Sequence, residues 1–331
     1  MKRMKRAAVV GAALMMLTGS VLTGCGSKSN ASEEQVVVYT NADDEAVAAM
    51  QHALDANGFE GKYIVQTFGT SELGGKLLAE GANIEADLVT MSSFYLESSQ
   101  EEHAMFQELD FETGTLEEHP SYYTPITAQE GAIIYNTEVL KENDLPVPES
   151  IKDLADPVYK DMISVTDIQS SSTAWLLIQA LVNEYGEDGA RDILTGIYEN
   201  AGAHIEDSGS GPIKKVRAGE VAIGFGLRHQ AVADKEEGLP IDYVDPTEGN
   251  FTLTESVAVV DKKEDTNEKA MEMAECIIRN GREELLETYP VPLYEGETVA
   301  DANKSGNPKE FSEKLSVDLL KKHQTLSEEC K

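Results

Sequence analysis

The sequence is poor in cations and in cysteine. Its 331 residues carry 27 Lys and Arg against 60 Asp and Glu, which is a formal net charge of -33. This charge excludes a nucleic-acid binder, because such a protein needs a clustered cationic face. The three cysteines, none of them paired as CxxC, are too few for a disulfide scaffold or a zinc ribbon. Hydrophobic residues make up 41% of the chain, as in an ordinary globular protein long enough for two lobes.

The motifs of common enzymes are also missing. The chain contains no HExxH, GxSxG or GxxxxGK[ST] motif, and its six histidines show no metal-ligand spacing. We therefore expect a binding protein and not an enzyme, with no cofactor and no resident metal. A structural surface protein would also be acidic, but it would not explain the hydroxyl-rich segments described below.

The first segment predicts export. Four basic residues, Lys2, Arg3, Lys5 and Arg6, come first, an apolar run extends from Ala7 to Val21, and Leu22-Thr23-Gly24-Cys25 follows. The apolar run is too short for a comfortable membrane span, and the last four residues resemble the lipobox of bacterial lipoproteins. We expect a signal peptide at 1–24, a lipidated Cys25 and a tether at 25–35. The alternative is a plain secretory peptide that is followed by a chance cysteine.

Alternating apolar runs and helical patterns predict an α/β fold. The β-branched run Val36–Tyr39 indicates a buried strand, and further strands are predicted at 62–68 and 86–91 with a helix after each of the first two. A second unit starts with a strand at 131–136. It continues with strands at 161–165, 203–205, 221–223 and 241–244, a long helix from about Ser172, and helices at 212–218 and 228–237. A buried strand at 256–260 and acidic amphipathic helices complete the chain.

This order favours two doubly wound lobes with a ligand between them, because open α/β sheets bind ligands at the carboxyl ends of their strands. We expect lobe 1 at 36–129 and 256–331, and lobe 2 at 130–255. The sequence does not decide which of the two lobes the C-terminal helices pack on. The chain would cross between the lobes near 129–131 and again near 252–256.

Six segments carry a resemblance to a known family. They are Val38-Tyr39-Thr40-Asn41, Phe68 to Leu73, Ala86 to Val89, Gly131 to Asn136, Leu154 to Tyr159 and Gly219 to Gly224. Together they resemble bacterial extracellular solute-binding proteins of ABC importers, in the branch that binds ferric ion, sugar phosphates or 2-aminoethylphosphonate. The resemblance implies a type II periplasmic-binding-protein fold, whose two lobes are joined by a two-strand hinge. It also implies permease and ATPase subunits as partners.

The segment from Gln169 to Trp175 contains four consecutive hydroxyl residues before a predicted helix. Hydroxyls and backbone N–H groups at a helix N-terminus form a site for a phosphate or a carboxylate. Capping of the helix would explain one of these hydroxyls but not four. We expect Ser171, Ser172 and Thr173 to bind an anionic group.

Other candidate residues also follow predicted strands. Turn or cap chemistry would explain Thr40, Asn41, Thr70, Ser71 and Ser210, but their places at strand ends favour a ligand site. Arg228 offers a planar fork of donors to a phosphoryl group, and the adjacent His229 can add another donor. Glu255 would face the amine or the hydroxyls at the other end of the ligand.

These residues predict a binding protein for a small organophosphorus solute, with 2-aminoethylphosphonate or a sugar phosphate leading. The alternative is a ferric-iron binder. Ferric binders of this branch use a tandem tyrosine pair in the second lobe, but the segment from Phe225 to Gln230 contains none. The pair Tyr122-Tyr123 precedes the first crossing, where packing explains it better. We expect a monomer that is lipid-anchored on the outer face of the cytoplasmic membrane, on the periplasmic side if an outer membrane exists.

Overall fold

The computed structural model describes residues 35–331. The predicted signal peptide, the lipidated Cys25 and nearly all of the predicted tether lie outside the described residues. Residues 35–331 pack as one compact unit, so the lobe boundaries given above stay a prediction. None of the helices in the described part of the chain is long and apolar enough to cross a membrane.

The chain begins with three strands that pair in parallel and alternate with helices, as the apolar runs predict. These elements are β1 (Val36–Thr40), α1 (Asp44–Leu54), β2 (Tyr63–Thr67), α2 (Thr70–Glu80), β3 (Leu88–Ser92) and α3 (Ser93–His103). Strand β1 lies between β2 and β3. Their carboxyl ends therefore meet at one edge of the sheet, and the loops that lead into α1 and α2 lie there together.

Two long antiparallel strands extend the sheet from this first unit to the second. They are β4 (Thr124–Asn136) and β9 (Asn250–Val259), and β9 also pairs with β3. The first part of β4 pairs with β9 up to Glu130, whereas from Gly131 onwards β4 pairs with other strands. We call β2, β1, β3, β9 and the first part of β4 the first half-sheet.

The second half-sheet contains the rest of β4 and four shorter strands. The added strands are β5 (Ile163–Thr166), β6 (Ile205–Glu206), β7 (Ile223–Leu227) and β8 (Ile241–Val244), and the helices are α4 (Thr137–Glu142), α5 (Ala174–Ala201), α6 (Gly211–Ala218) and α7 (Arg228–Glu236). Strand β5 lies in parallel between β7 and β6, and both β7 and β8 pair antiparallel with β4. Apolar side chains of α5 fill the core on one face of this half-sheet, with Trp175 fully buried.

The last part of the chain packs on both half-sheets. Its elements are α8 (Glu268–Cys276), α9 (Arg282–Thr288), β10 (Pro308–Lys309), which pairs with β9, and α10 (Val317–Cys330). Helices α8 and α9 pack near α1, and α10 packs against α5 and α3. The Trp175 indole donates a hydrogen bond to His323 Nδ1 on α10 at 2.7 Å, and its ring meets Phe94 of α3 edge-on at 5.0 Å. Trp175 therefore joins elements of both half-sheets.

Several element boundaries differ from the sequence predictions. Strands β4 and β9 begin several residues before the predicted 131 and 256, and β7 covers 223–227 instead of 221–223. Neither Thr70 nor Ser71 caps α2, because Gly69 holds the N-cap position and Thr70 is already helical. Gly58 adopts φ of 88° in the turn that ends the first helical segment.

Candidate functional site

A cavity of about 260 Å³ lies between the half-sheets, at the carboxyl ends of their parallel strands. Loops from both half-sheets and the strands β4 and β9 line it. The lining residues are Asn41, Ala42, Asp43, Ala46, Thr67, Phe68, Gly69, Thr70, Thr127, Gln129, Ser170, Ser171, Ser172, Thr173, Asp207, Ser208, Gly209, Ser210, Leu227, Glu255 and Tyr289. The size is slightly below the range that is usual for drug-sized ligands, and it suits a small solute.

Four helices begin at the cavity, and they differ in how their N-termini are capped. The side chain of Asp43 accepts a hydrogen bond from the Ala46 amide and caps α1. Helices α2, α5 and α6 begin at Thr70, Ala174 and Gly211, and within the described residues none of these three has a side-chain cap. The amides of Ala174, Trp175 and Leu176 at the start of α5 donate to backbone carbonyls of the preceding turn, and so does the Gly211 amide of α6. Each of the three N-termini still presents the positive end of a helix dipole, which favours a negative charge.

Hydroxyl groups stand beside these N-termini, as the sequence predicts. Thr70 belongs to the first turn of α2, and Ser210 is the N-cap residue of α6. The residues before α5 form a turn in which Ser171 Oγ contacts Thr173 Oγ1 at 3.4 Å. Ser171, Ser172 and Thr173 are each 7–8% exposed, so the cavity is where these hydroxyls meet solvent. The structure thus brings the hydroxyls of both half-sheets to one cavity.

Glu255 lies on β9 and lines the same cavity. Ser92 Oγ donates to its Oε1 at 2.7 Å. The side-chain amide of Asn41 is oriented so that its nitrogen and its oxygen both have hydrogen-bond partners, and its nitrogen then donates to Glu255 Oε2 at 2.9 Å. In the same orientation the Asn41 oxygen accepts from Thr70 Oγ1 at 3.2 Å. Burial raises the pKa of Glu255 to about 7, although the two hydrogen bonds favour the charged form.

Tyr289 and Asp43 are site residues that the sequence predictions missed. The Tyr289 hydroxyl donates a hydrogen bond to Asp43 Oδ1, which ties the segment after α9 to the start of α1. Burial raises the pKa of Asp43, against the effect of this hydrogen bond. The two residues are 246 positions apart in the chain, so no local sequence pattern could place them together.

The charged groups that line the cavity are all acidic. They are Asp43, Asp207 and Glu255, and among the described residues no Lys, Arg or His lines it. Asp207 is exposed at the rim, where Ser170 Oγ donates to it at 3.2 Å. The cavity therefore combines donors from helix N-termini and hydroxyls with carboxylates that would favour a cation.

The prediction for Arg228 needs correction, because this side chain does not reach the cavity. Its Nε donates to Asp245 Oδ1 at 2.7 Å, and its Nη1 and Nη2 donate to the carbonyl oxygens of Ala302 and Lys304 at 3.1 and 3.0 Å. The guanidinium also lies 4.8 Å from the centre of the Tyr243 ring. Arg228 is only 4% exposed, and in this arrangement it fastens the segment near 302–304 to α7.

His229, Thr40 and Ser71 also stand outside the cavity lining. His229 packs behind Tyr289 with ring centroids 5.0 Å apart, and burial lowers its pKa to about 4. Thr40 is fully buried, where its Oγ1 accepts hydrogen bonds from Thr90 Oγ1 and the Ala42 amide. Ser71 Oγ donates to the Gln169 carbonyl at 2.7 Å, so it connects α2 with the loop before α5 across the cavity mouth.

The tandem tyrosines and the two cysteines of the described region have structural contacts. Tyr122 stacks on Phe106 with centroids 6.3 Å apart, and Tyr123 donates to Glu97 at 2.8 Å. Neither tyrosine lines the cavity, in agreement with the packing role expected for them. Both Cys276 and Cys330 are buried free thiols, so no disulfide joins them in this structure.

Comparison with known proteins places most of the chain in one family. The family described as bacterial extracellular solute-binding protein matches residues 92–310, which is well over half of the chain. An uncharacterized protein of Haemophilus influenzae is 35% identical over 115 residues, 34% of this chain and 33% of that protein. A protein of Serratia marcescens named Fe(3+)-binding periplasmic protein is 24% identical over 220 residues, 63% of this chain and 61% of that protein. The matches thus span about a third and about three fifths of the lengths of these relatives.

Solved structures of periplasmic binding proteins share the fold. The protein AfuA from Actinobacillus pleuropneumoniae, solved with bound fructose-6-phosphate, has a TM-score of 0.71 and 20% identity, over 90% of this chain and 98% of AfuA. Iron-bound HitA from Pseudomonas aeruginosa has the same TM-score and identity, over 90% of this chain and 99% of HitA. The α/β fold of this chain is therefore the type II periplasmic-binding-protein fold that the resemblance implies.

Proposed function

The chain belongs to the family of bacterial extracellular solute-binding proteins, and we propose that it captures a small organophosphorus solute for an ABC importer. The observation that carries the proposal is the convergence of three uncapped helix N-termini and five hydroxyl residues on one cavity. The hydroxyl residues are Thr70, Ser171, Ser172, Thr173 and Ser210.

A phosphoryl group is the natural complement of this wall. Its oxygens are hydrogen-bond acceptors and carry negative charge, whereas backbone N–H groups and hydroxyls at helix N-termini donate. Each charge-assisted hydrogen bond contributes about 1.5 to 3 kcal/mol, so three of them contribute about 4.5 to 9 kcal/mol without an arginine, against about 8.2 kcal/mol for micromolar binding. The cavity of about 260 Å³ favours a small solute such as 2-aminoethylphosphonate or a sugar phosphate.

The proposal includes the place of capture. Lipidation of Cys25 would hold the protein as a monomer on the outer face of the cytoplasmic membrane, next to its permease and ATPase partners. The basic, apolar and Leu-Thr-Gly-Cys segments support this anchor. A Cys25→Ala variant should leave the membrane fraction of the cells, and a variant that stays wholly membrane-bound would contradict the anchor.

Ferric iron is the second candidate, supported by the Serratia marcescens relative and by the phenol of Tyr289 in the cavity. The arrangement of the side chains supports ferric iron less well than a phosphoryl group. Among residues 35–331 no group of three or more His, Cys, Asp or Glu side chains is arranged to hold a metal ion.

Thermal unfolding of the protein with added solutes tests the proposal. The solutes are 2-aminoethylphosphonate, fructose 6-phosphate, ferric citrate and a polyamine. A ligand that binds only the folded protein at 100 times its Kd adds about 2.7 kcal/mol to the free energy of unfolding and raises Tm. We expect a phosphorus compound to do so. Stabilisation by ferric citrate alone, or by the polyamine alone, would contradict the proposal.

Two variants connect the binding to the cavity. In Ser172→Ala the loss of one charge-assisted donor should weaken phosphoryl binding about 10- to 100-fold in calorimetry. The matched control is Ser99→Ala, because Ser99 is equally buried on α3 and its hydroxyl has no hydrogen-bond partner among the described residues. Equal affinities of the two variants would show that the loop before α5 does not hold the anion.

A further inference from the structure

Glu255 is a buried carboxylate that has no counter-ion in the part of the chain that the structure describes. It is 9% exposed, it lines the cavity, and each of its oxygens accepts one hydrogen bond from a neutral group. Its neighbours across the strands are Ser92 on β3 and Thr127 on β4, which do not titrate. A carboxylate buried in this way is costly unless a cation pairs with it.

Residues 35–331 supply no such cation to Glu255. The titratable groups that face it are Asp43 at the start of α1 and Tyr289 after α9, with His229 of α7 behind Tyr289. Asp43 adds negative charge and Tyr289 donates its proton to Asp43, so neither compensates Glu255. Burial keeps His229 neutral, since it lowers the pKa of this imidazole to about 4. The open side of Glu255 is the cavity.

We propose that Glu255 is the specificity-determining residue of the cavity and that it selects solutes carrying a protonated amine opposite their phosphoryl group. The inference rests on the proposed function for the recognition of the ligand's phosphoryl group. It adds the recognition of the other end of the ligand. The ligand class is a zwitterionic aminoalkyl phosphoryl compound. Phosphates whose polyhydroxyl tail is uncharged are disfavoured.

The two kinds of charge at the cavity explain this choice. Three helix N-termini offer it partial positive charge, whereas Glu255 and Asp43 offer it negative charge. A zwitterion satisfies both, because its ammonium donates up to three hydrogen bonds and neutralises the buried carboxylate. A sugar hydroxyl would also donate to Glu255, but it would leave the charge unpaired.

Ligand entry should also move a proton. The pKa of Glu255 is about 7 in the empty cavity, so near neutral pH a large fraction of the molecules hold this proton. An ammonium group beside the carboxylate favours the charged form and lowers its pKa, so the proton leaves to the solvent. At pH 7 the binding of an amine should release about half a proton per site from Glu255.

Two isosteric probes test the amine directly by calorimetry. They are 2-aminoethylphosphonate and 2-hydroxyethylphosphonate, which differ only in the amine. We expect the parent protein to prefer the amine by about 10- to 100-fold, and Glu255→Gln to reduce this preference to within about threefold. Titrations in buffers of different ionisation enthalpy should show about half a proton more released from the parent than from the variant at pH 7.

The control variant is Glu130→Gln. Glu130 is a partly buried glutamate on β4 that accepts a hydrogen bond from Ser305 and does not line the cavity, so this variant should keep the full preference for the amine. The comparison of the two probes on the parent needs no variant, and it stays decisive even if Glu255→Gln fails to fold.

The outcomes separate this inference from the proposed function. Equal binding of both phosphonates to the parent overturns the amine selection and leaves organophosphorus capture intact. Binding of 2-aminoethanol, which has no phosphorus, together with failure of every phosphorus compound supports the ammonium site and overturns the proposed function. An unchanged preference in Glu255→Gln overturns the assignment of this residue.

Discussion

Burial of Glu255 should make the empty protein less stable as the pH rises. An ordinary glutamate, as in the unfolded chain, loses its proton near pH 4.5, whereas the folded protein keeps the Glu255 proton up to about pH 7. Between these values the folded state binds more protons than the unfolded state, so the free energy of unfolding falls with increasing pH. The pKa difference corresponds to a loss of about 3 kcal/mol above pH 7.

The perturbation is Glu255→Gln, which resembles the protonated carboxyl at every pH. Near pH 4.5 the variant and the parent should differ little in stability. Above pH 7 the variant should be more stable by up to about 3 kcal/mol, because it avoids the buried charge. Urea unfolding followed by circular dichroism, repeated from pH 4.5 to 8.5 without ligand, measures this difference.

The control is Glu236→Gln at the end of α7, where the side chain is exposed and no buried carboxylate is removed. Its stability should follow that of the parent across the pH range. A difference between Glu255→Gln and the parent that stays constant from pH 4.5 to 8.5 would refute the reasoning, because the buried charge would then have no cost.

Three further predictions concern packing and the cavity mouth. Arg228→Met should lower the free energy of unfolding by about 3 to 5 kcal/mol, because it leaves the Asp245 carboxylate unpaired; an unfolding free energy equal to the parent's would contradict this. Ser71→Ala removes the hydrogen bond across the mouth and should weaken solute binding about 2- to 10-fold in calorimetry, with the unfolding free energy little changed. A Cβ on Gly74 would lie 2.2 Å from the Tyr95 ring, so Gly74→Ala should lower the free energy of unfolding by about 1 to 3 kcal/mol, and a neutral result would show that the ring moves freely.

Much of the fold could be predicted because its first unit is locally consistent. Runs such as Val36–Tyr39 are apolar and β-branched, and the helices between them have clear N-terminal residues such as Asp43. Helices α6 and α7 were placed within one residue at each end, since Pro212 marks the start of α6 and Arg228 follows the strand that the apolar run predicts.

The long strands were harder to predict for physical reasons. The first part of β4 contains Pro125 and several polar residues, a composition that argues against a central strand. In β7, Gly224 and Gly226 alternate with apolar residues and suggest a loop. The structure shows why glycine is needed at 224, since a Cβ there would lie 3.1 Å from Pro212 of α6. Packing between segments that are distant in the chain makes both β4 and β7 strands.

The candidate site was predicted only where chain order brings residues together. Strand ends before helices identify Asn41, Thr70 and the hydroxyls before α5, because the carboxyl ends of parallel strands share one edge of a sheet. Arg228 also follows a strand, but Asp245 takes its guanidinium away from the cavity, and sequence alone does not show that pairing. Tyr289 enters the site through the C-terminal segment, so only the tertiary structure reveals it.

The junction at Trp175 gives the protein a built-in optical probe. This is the only tryptophan of the chain, and it lies two residues after Thr173 of the cavity wall. Its indole is shielded from water and touches both His323 and Phe94, so its emission depends on how α5, α10 and α3 are arranged. We therefore expect any rearrangement of these helices on solute capture to change the intrinsic fluorescence, which can be recorded with no dye attached and no second tryptophan to confuse the signal.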